Sequence, residues 1–145
     1  MMMEYIWLCF MAWFIGFFPM FEIYIAIPAT MAVGLDGFSS VLWSCVGNFM
    51  AIPLIVFFYD KLSRFERINK FLLKTSVSRF SHKIRKGSFG FILLTTPIVG
   101  SWTIGVLCKL IGLSKKKIFT SSAISIALYG LIIGILTKLG IDSFY

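Results

Sequence analysis

Charge is scarce in this chain, and negative charge scarcest of all. Of 145 residues only 14% are charged, with six Asp and Glu against fourteen Lys and Arg, for a net charge of +8. A soluble domain carries about 25% charged residues, so the polar surface is too small to cover a globule in water. Histidine occurs once, at His82. One imidazole builds no His-based metal cluster, and no Ser-His-Asp set, P-loop or H-E-x-x-H is present. Cysteine occurs three times, at Cys9, Cys45 and Cys108, without C-x-x-C spacing. Buried free thiols are expected, not a disulfide framework. These gaps leave no basis for an enzyme and none for a cofactor. The N-terminus lacks a basic n-region and carries Glu4, so the first apolar stretch is expected to stay in the mature protein.

What remains is apolar. Hydrophobic residues make up 59% of the chain and the mean hydropathy is +0.92. This predicts an all-α integral membrane protein forming a single membrane domain over 1–145. Phe38–Tyr59 and Phe119–Leu139 are continuous apolar runs, each near the ~20 residues that cross a hydrocarbon core of ~30 Å. Asn48 and Pro53 lie inside the first. Tyr5–Leu35 is too long for one helix and contains Pro19, Glu22 and Pro28. Ser88–Leu113 has the same character, with Pro97 and Gly100 inside it.

The chain also repeats itself. Pro19 recurs as Pro97, and Gly34-Leu35 as Gly112-Leu113, all at one offset of 78 positions. Duplication with interrupted apolar segments is a pointer to a transport site in a membrane protein. The basic residues cluster between 60 and 87, with a second patch at Lys115, Lys116 and Lys117. Short basic loops stay on the cytoplasmic side, so both patches are placed inside. Ser88–Leu113 then joins two inside loops and is too short to cross twice. It is predicted to be a re-entrant hairpin turning near Pro97–Trp102. By the repeat, Tyr5–Leu35 is the matching hairpin, turning near Pro19–Glu22. The expected fold is an inverted repeat of hairpin plus transmembrane helix, over 5–59 and 88–139. A plain crossing by Tyr5–Phe21 is the competing topology.

The connector over 60–87 places apolar Leu62, Phe65, Ile68, Leu72, Phe80 and Ile84 at three-to-four residue intervals among basic residues. It reads as an amphipathic helix on the cytoplasmic leaflet, with Lys61, Arg64, Arg67, Lys70 and Lys74 meeting anionic headgroups. Membrane lipid, and no nucleic acid, is the expected partner of this run.

Glu22 is the one acidic residue deep in an apolar stretch. An ionised side chain at the bilayer centre costs at least about 2.5–3.5 kcal/mol and is kept mostly where it faces a cavity or binds an ion. Two readings stay open: a protonation site, or a carboxylate wet at the interface. Pro28 and Pro97 each remove a backbone donor and displace the carbonyl four residues earlier. Such backbone survives at depth only when buried in protein or lining a wet cavity; a simple kink is the plainer alternative. Gly100, Ser101 and Trp102 follow Pro97 and serve a tight turn, a site or helix packing. Asn48 needs a partner in hydrocarbon, either the Glu22 hairpin or a neighbouring helix.

Glu22-x5-Pro28, Gly34-Leu35, Gly47-Asn48 and the stretch Pro97-Ile-Val-Gly-Ser-Trp-Thr-Ile-Gly105 together resemble the small multidrug export family. That family is similar in turn to the broader DedA membrane protein superfamily. The resemblance covers about Pro19 to Tyr129. It implies two re-entrant hairpins, each followed by a transmembrane helix, and proton-coupled transport or transbilayer movement of lipid-linked substrates. Two positions depart from the pattern. Tyr24 stands where an arginine is common, which argues against a charge-compensated or phosphate-binding first hairpin. Val99 replaces the second proline of a Pro-x-Pro-Gly pattern.

The expected function is therefore a small transporter or lipid-carrier flippase of the cytoplasmic membrane. Glu22 is its protonation site, Pro28, Pro97, Gly100 and Ser101 shape the tips, and Asn48 supports the first tip. Two spans and two hairpins wrap poorly around a pathway, so a homodimer is expected. A passive scramblase or lipid scaffold, and a non-transporting subunit that recruits a partner through its basic helix, are the alternatives.

Overall fold

The two glycine–leucine pairs close two helices by one device. The computed structural model describes residues 2–62, 64–67, 70 and 88–144. Its helices are α1 (Met2–Phe17), α2 (Glu22–Ala32), α3 (Gly37–Leu62), α4 (Ser88–Val99), α5 (Ser101–Ile111) and α6 (Lys115–Phe144). Gly34 follows α2 and Gly112 follows α5, with φ of 101° and 74°, where a Cβ would be strained. Gly34 N–H donates to Met31 O at 3.1 Å and Leu35 N–H to Thr30 O at 3.0 Å. Gly112 N–H donates to Lys109 O at 3.2 Å and Leu113 N–H to Cys108 O at 3.1 Å. Both are Schellman pairings, which satisfy the last carbonyls of a helix. In each case the long helix begins three residues after the glycine, at Gly37 and at Lys115.

Helix lengths separate two kinds of element. α3 has 26 residues and α6 has 30, so they reach about 39 and 45 Å at 1.5 Å per residue. Both hold stretches apolar enough to cross a membrane, with mean hydropathy 2.0. Only 39% and 22% of those stretches are buried, unlike the core helix of a soluble protein. α1 has 16 residues, and α2, α4 and α5 have 11, 12 and 11. These four reach about 16–24 Å, short of the ~30 Å hydrocarbon core.

The chain divides into two compact units. The first comprises 1–50 and 126–145: α1, α2, the first half of α3 and the last half of α6. Between α1 and α2 the turn falls at residues 18–21. Leu35 then packs against Cys9 and Ala12, so the two helices run antiparallel. Asp36 opens α3 by accepting the Ser39 N–H at 2.8 Å on Oδ2, and it takes the Tyr5 hydroxyl at 3.1 Å on Oδ1. The Ser39 backbone bond above all holds this carboxyl below the usual carboxylate range, so it is ionised at neutral pH. α1 meets α3 backbone to backbone. A Cβ on Gly16 would overlap the Ser44 carbonyl, and one on Gly47 the Trp13 carbonyl.

The second unit comprises Ala51–Ser125: the last half of α3, then α4, α5 and the start of α6. α4 and α5 are separated by Gly100 alone, at φ 92° and ψ 151°, a conformation essentially reserved for glycine. Gly105 sits against the Ile55 side chain, 3.2 Å from where its Cβ would be. Ile55 and Val106 form a buried cluster joined by Tyr59 and Trp102.

The first turn falls at 18–21, around Pro19, as the sequence reading expected. Pro28 was expected to help shape that tip, but it lies in the middle of α2, which continues around it. Pro97 lies inside α4, three positions before the Gly100 break. Lacking an N–H, Pro97 cannot serve the Leu93 carbonyl. Ser125 from α6 serves it, donating its hydroxyl at 2.6 Å. Ser125→Ala is expected to lower thermal stability in detergent by about 1–3 kcal/mol, since it strands a buried carbonyl. Ser125→Thr should keep most of that stability. The amphipathic connector expected over 60–87 lies mostly outside the described residues.

Candidate functional site

The turn of the first helical pair delivers a carboxylate in an unusual backbone state. Glu22 is the first residue of α2, and its φ is 49°. Among the described residues it is the only non-glycine with positive φ. A residue with a Cβ in this region stores about 1–3 kcal/mol of strain, and such residues cluster at functional sites. The Glu22 N–H donates to Phe18 O at 3.2 Å, which closes the turn. The side chain is half-buried.

Two phenols accompany the carboxylate. Tyr24 lies within electrostatic reach of both Glu22 and Tyr129 of α6. Tyr24 is thus the group of α2 that senses both the Glu22 carboxylate and a phenol of α6. Tyr129 was not singled out from sequence. It sits in an apolar run with no special spacing, and only its place in the fold brings it within electrostatic reach of Tyr24.

Asn48 holds the same region from α3. Its Nδ2 donates to Gly16 O at 3.1 Å, and the residue is 2% exposed. The acceptor lies in the last turn of α1, just before the turn that carries Glu22. Asn48 was expected to meet either the Glu22 hairpin or a neighbouring helix; its partner is the α1 backbone, so it ties α3 to α1. Asn48→Ala is expected to cost about 1 kcal/mol, in the range of interhelical hydrogen bonds in membrane proteins. Unfolding of purified protein in mixed micelles measures it.

Pro97, Gly100, Ser101 and Trp102 belong to the second unit. Ser101 is fully buried at the start of α5, and Gly100 forms the break before it. Trp102 packs on the Ile55–Val106 cluster, so its indole is a packing element of that unit. Lys61, Arg64, Arg67 and Lys70 are exposed, while Lys74 lies outside the described residues. Lys61 sits over the Phe58 ring at 5.9 Å and Lys115 over the Phe57 ring at 4.6 Å. The end of α3 and the start of α6 therefore bring their lysines to one end of this unit.

The family described as "Putative small multi-drug export protein" matches residues 22–132. The match begins at Glu22 and takes in all the expected tip residues. No curated protein and no solved structure matches the chain.

Proposed function

The chain belongs to the small multi-drug export family, and on that premise we propose that it is a proton-coupled transporter of the cytoplasmic membrane for a lipid-linked or amphipathic substrate. The observation that carries this reading is Glu22: a strained, half-buried carboxylate at the turn of a helical pair too short to cross a bilayer. Strain of this kind is retained where a side chain is needed in one place. Tyr24, within electrostatic reach of Glu22, offers a hydroxyl donor that can meet a polar substrate group.

In this reading α1–α2 and α4–α5 are re-entrant hairpins, and the two repeats are inverted in the membrane. The recurrence of the same cap and the same long-helix start supports the repeat. Lys61 at the end of α3 and Lys115, Lys116 and Lys117 at the start of α6 support an inside location for both. Protonation of Glu22 removes a charge that is costly at depth. The neutral form then lets the site pass between its two accessible states. We also propose that two copies pair.

Vesicles reconstituted with the protein test this. A fluorescent phospholipid analogue in one leaflet is followed by quenching from outside, with and without an imposed pH gradient. Movement that rises with the gradient is expected. Movement indifferent to the gradient would instead mark a passive scramblase, and no movement above empty vesicles would remove the lipid-linked substrate.

A further inference from the structure

The first unit carries a feature that proton coupling does not use. A groove of about 660 Å³ runs between the end of α2, the first half of α3 and the last half of α6. Its size falls within the ~300–1,000 Å³ of small-molecule sites, which are mostly apolar with a few placed polar groups. The walls are apolar along most of its length, including Val41, Leu42, Ala127 and Leu131.

One end is different. Asp36 and Lys138 both line the groove, and the register places them together. Cys45 Sγ donates to Ile126 O at 3.5 Å, and Gly134 closes on the Val41 side chain. α3 and α6 therefore run antiparallel here, so the start of α3 meets the region of Lys138. Both side chains are exposed. The Asp36 carboxylate accepts from Ser39 and from Tyr5. It stays exposed and negatively charged, so a headgroup ammonium can approach it from outside.

We propose that this groove binds one phospholipid whose headgroup carries both a phosphate and a primary ammonium. The acyl chain lies in the apolar trough, the phosphate meets Lys138, and the ammonium donates to Asp36. Charge complementarity selects this occupant. An anionic headgroup would satisfy Lys138 but be repelled by Asp36. A quaternary amine has no N–H to give the carboxylate, so phosphatidylethanolamine is favoured over phosphatidylcholine.

Native mass spectrometry of the detergent-solubilised protein tests the proposal, with phosphatidylethanolamine, phosphatidylcholine and phosphatidylglycerol of one acyl length added in turn. Phosphatidylethanolamine is expected to bind about tenfold more tightly than the other two, the factor one charge-assisted hydrogen bond supplies. D36N and K138Q should each remove about that factor. Asparagine also caps a helix, so D36N keeps the start of α3. A127F fills the trough and should weaken all three lipids, which separates the chain contact from the headgroup contact. Equal binding of phosphatidylglycerol, or D36N without effect, overturns the proposal. So does a lipid-free dimer in which a second copy protects Ala127 and Leu131 from labelling. The measurement reads binding and not movement, so it stands apart from the role of Glu22.

Discussion

Replacing Glu22 by glutamine is expected to abolish the proposed response of transport to a pH gradient and to leave the protein folded. Glutamine keeps the size and Cβ of the original but cannot titrate. The strain at φ 49° is therefore unchanged, and so is the Phe18–Glu22 backbone bond. What disappears is the proton site. A second substitution separates function from stability. Glu22→Gly relieves the left-handed strain, which should raise stability by up to about 1–3 kcal/mol, offset in part by the added backbone freedom of glycine. It removes the carboxylate as well, so the response to the gradient should be lost while the melting temperature does not fall. A site that becomes no less stable when its charged residue is removed is one kept for chemistry. Thermal unfolding of both variants in detergent, beside vesicle transport, gives the two readouts. Gradient-dependent movement by Glu22→Gln at the original rate would show that another group carries the proton.

Gly47→Ala is expected to cost a large part of the stability of the first unit. The new Cβ would fall on the Trp13 carbonyl, with Phe17 N close behind. Those atoms belong to the α1 backbone and cannot rotate away as a side chain end would. Overpacking costs about 1–3 kcal/mol where neighbours can shift, and more where they cannot. The same crossing holds Asn48 on Gly16 O, so parting the helices also strands a buried amide. Gly16→Ala should behave alike, because its Cβ would meet the Ser44 backbone. Gly90→Ala and Gly140→Ala are the controls, since no atom lies within 4 Å of either added Cβ. Folded yield from membranes and the unfolding midpoint in detergent should fall sharply for Gly47 and Gly16 and hold for the controls.

The local grammar of the chain was open to reading. Gly34-Leu35 and Gly112-Leu113 stand out because a helix that ends in a Schellman cap needs φ > 0 at one position, and glycine meets that need most cheaply. The long runs at α3 and α6 declare themselves by length. Glu22 is visible because one carboxylate in an apolar run is conspicuous. Pro28 misled, since a proline signals a lost donor without saying whether the helix stops or continues around it. The crossing at Gly16 and Gly47 was not legible. Which backbone each glycine meets, Ser44 for Gly16 and Trp13 for Gly47, is decided by how α1 and α3 are set side by side, and neither position carries a periodic signal of its own. Ser125 escaped for the same reason: the carbonyl it serves is freed by Pro97, at a distant point in the chain. Tyr129 is one aromatic among many, and only tertiary placement gives it a partner.

The account rests on a first helical pair that enters the bilayer and leaves by the same face, with its carboxylate at depth. Single cysteines at positions 3, 20 and 38, on a background with Cys9, Cys45 and Cys108 changed to alanine, test it with a maleimide that cannot cross membranes. Met3, Met20 and Phe38 are all well exposed in the protein, so protection would come from lipid. Positions 3 and 38 should label from one common side, and position 20 only slowly from either. Rapid labelling of position 20 from the side opposite to position 3 would mean that α1 crosses completely, and the proposed site would lie in open solvent.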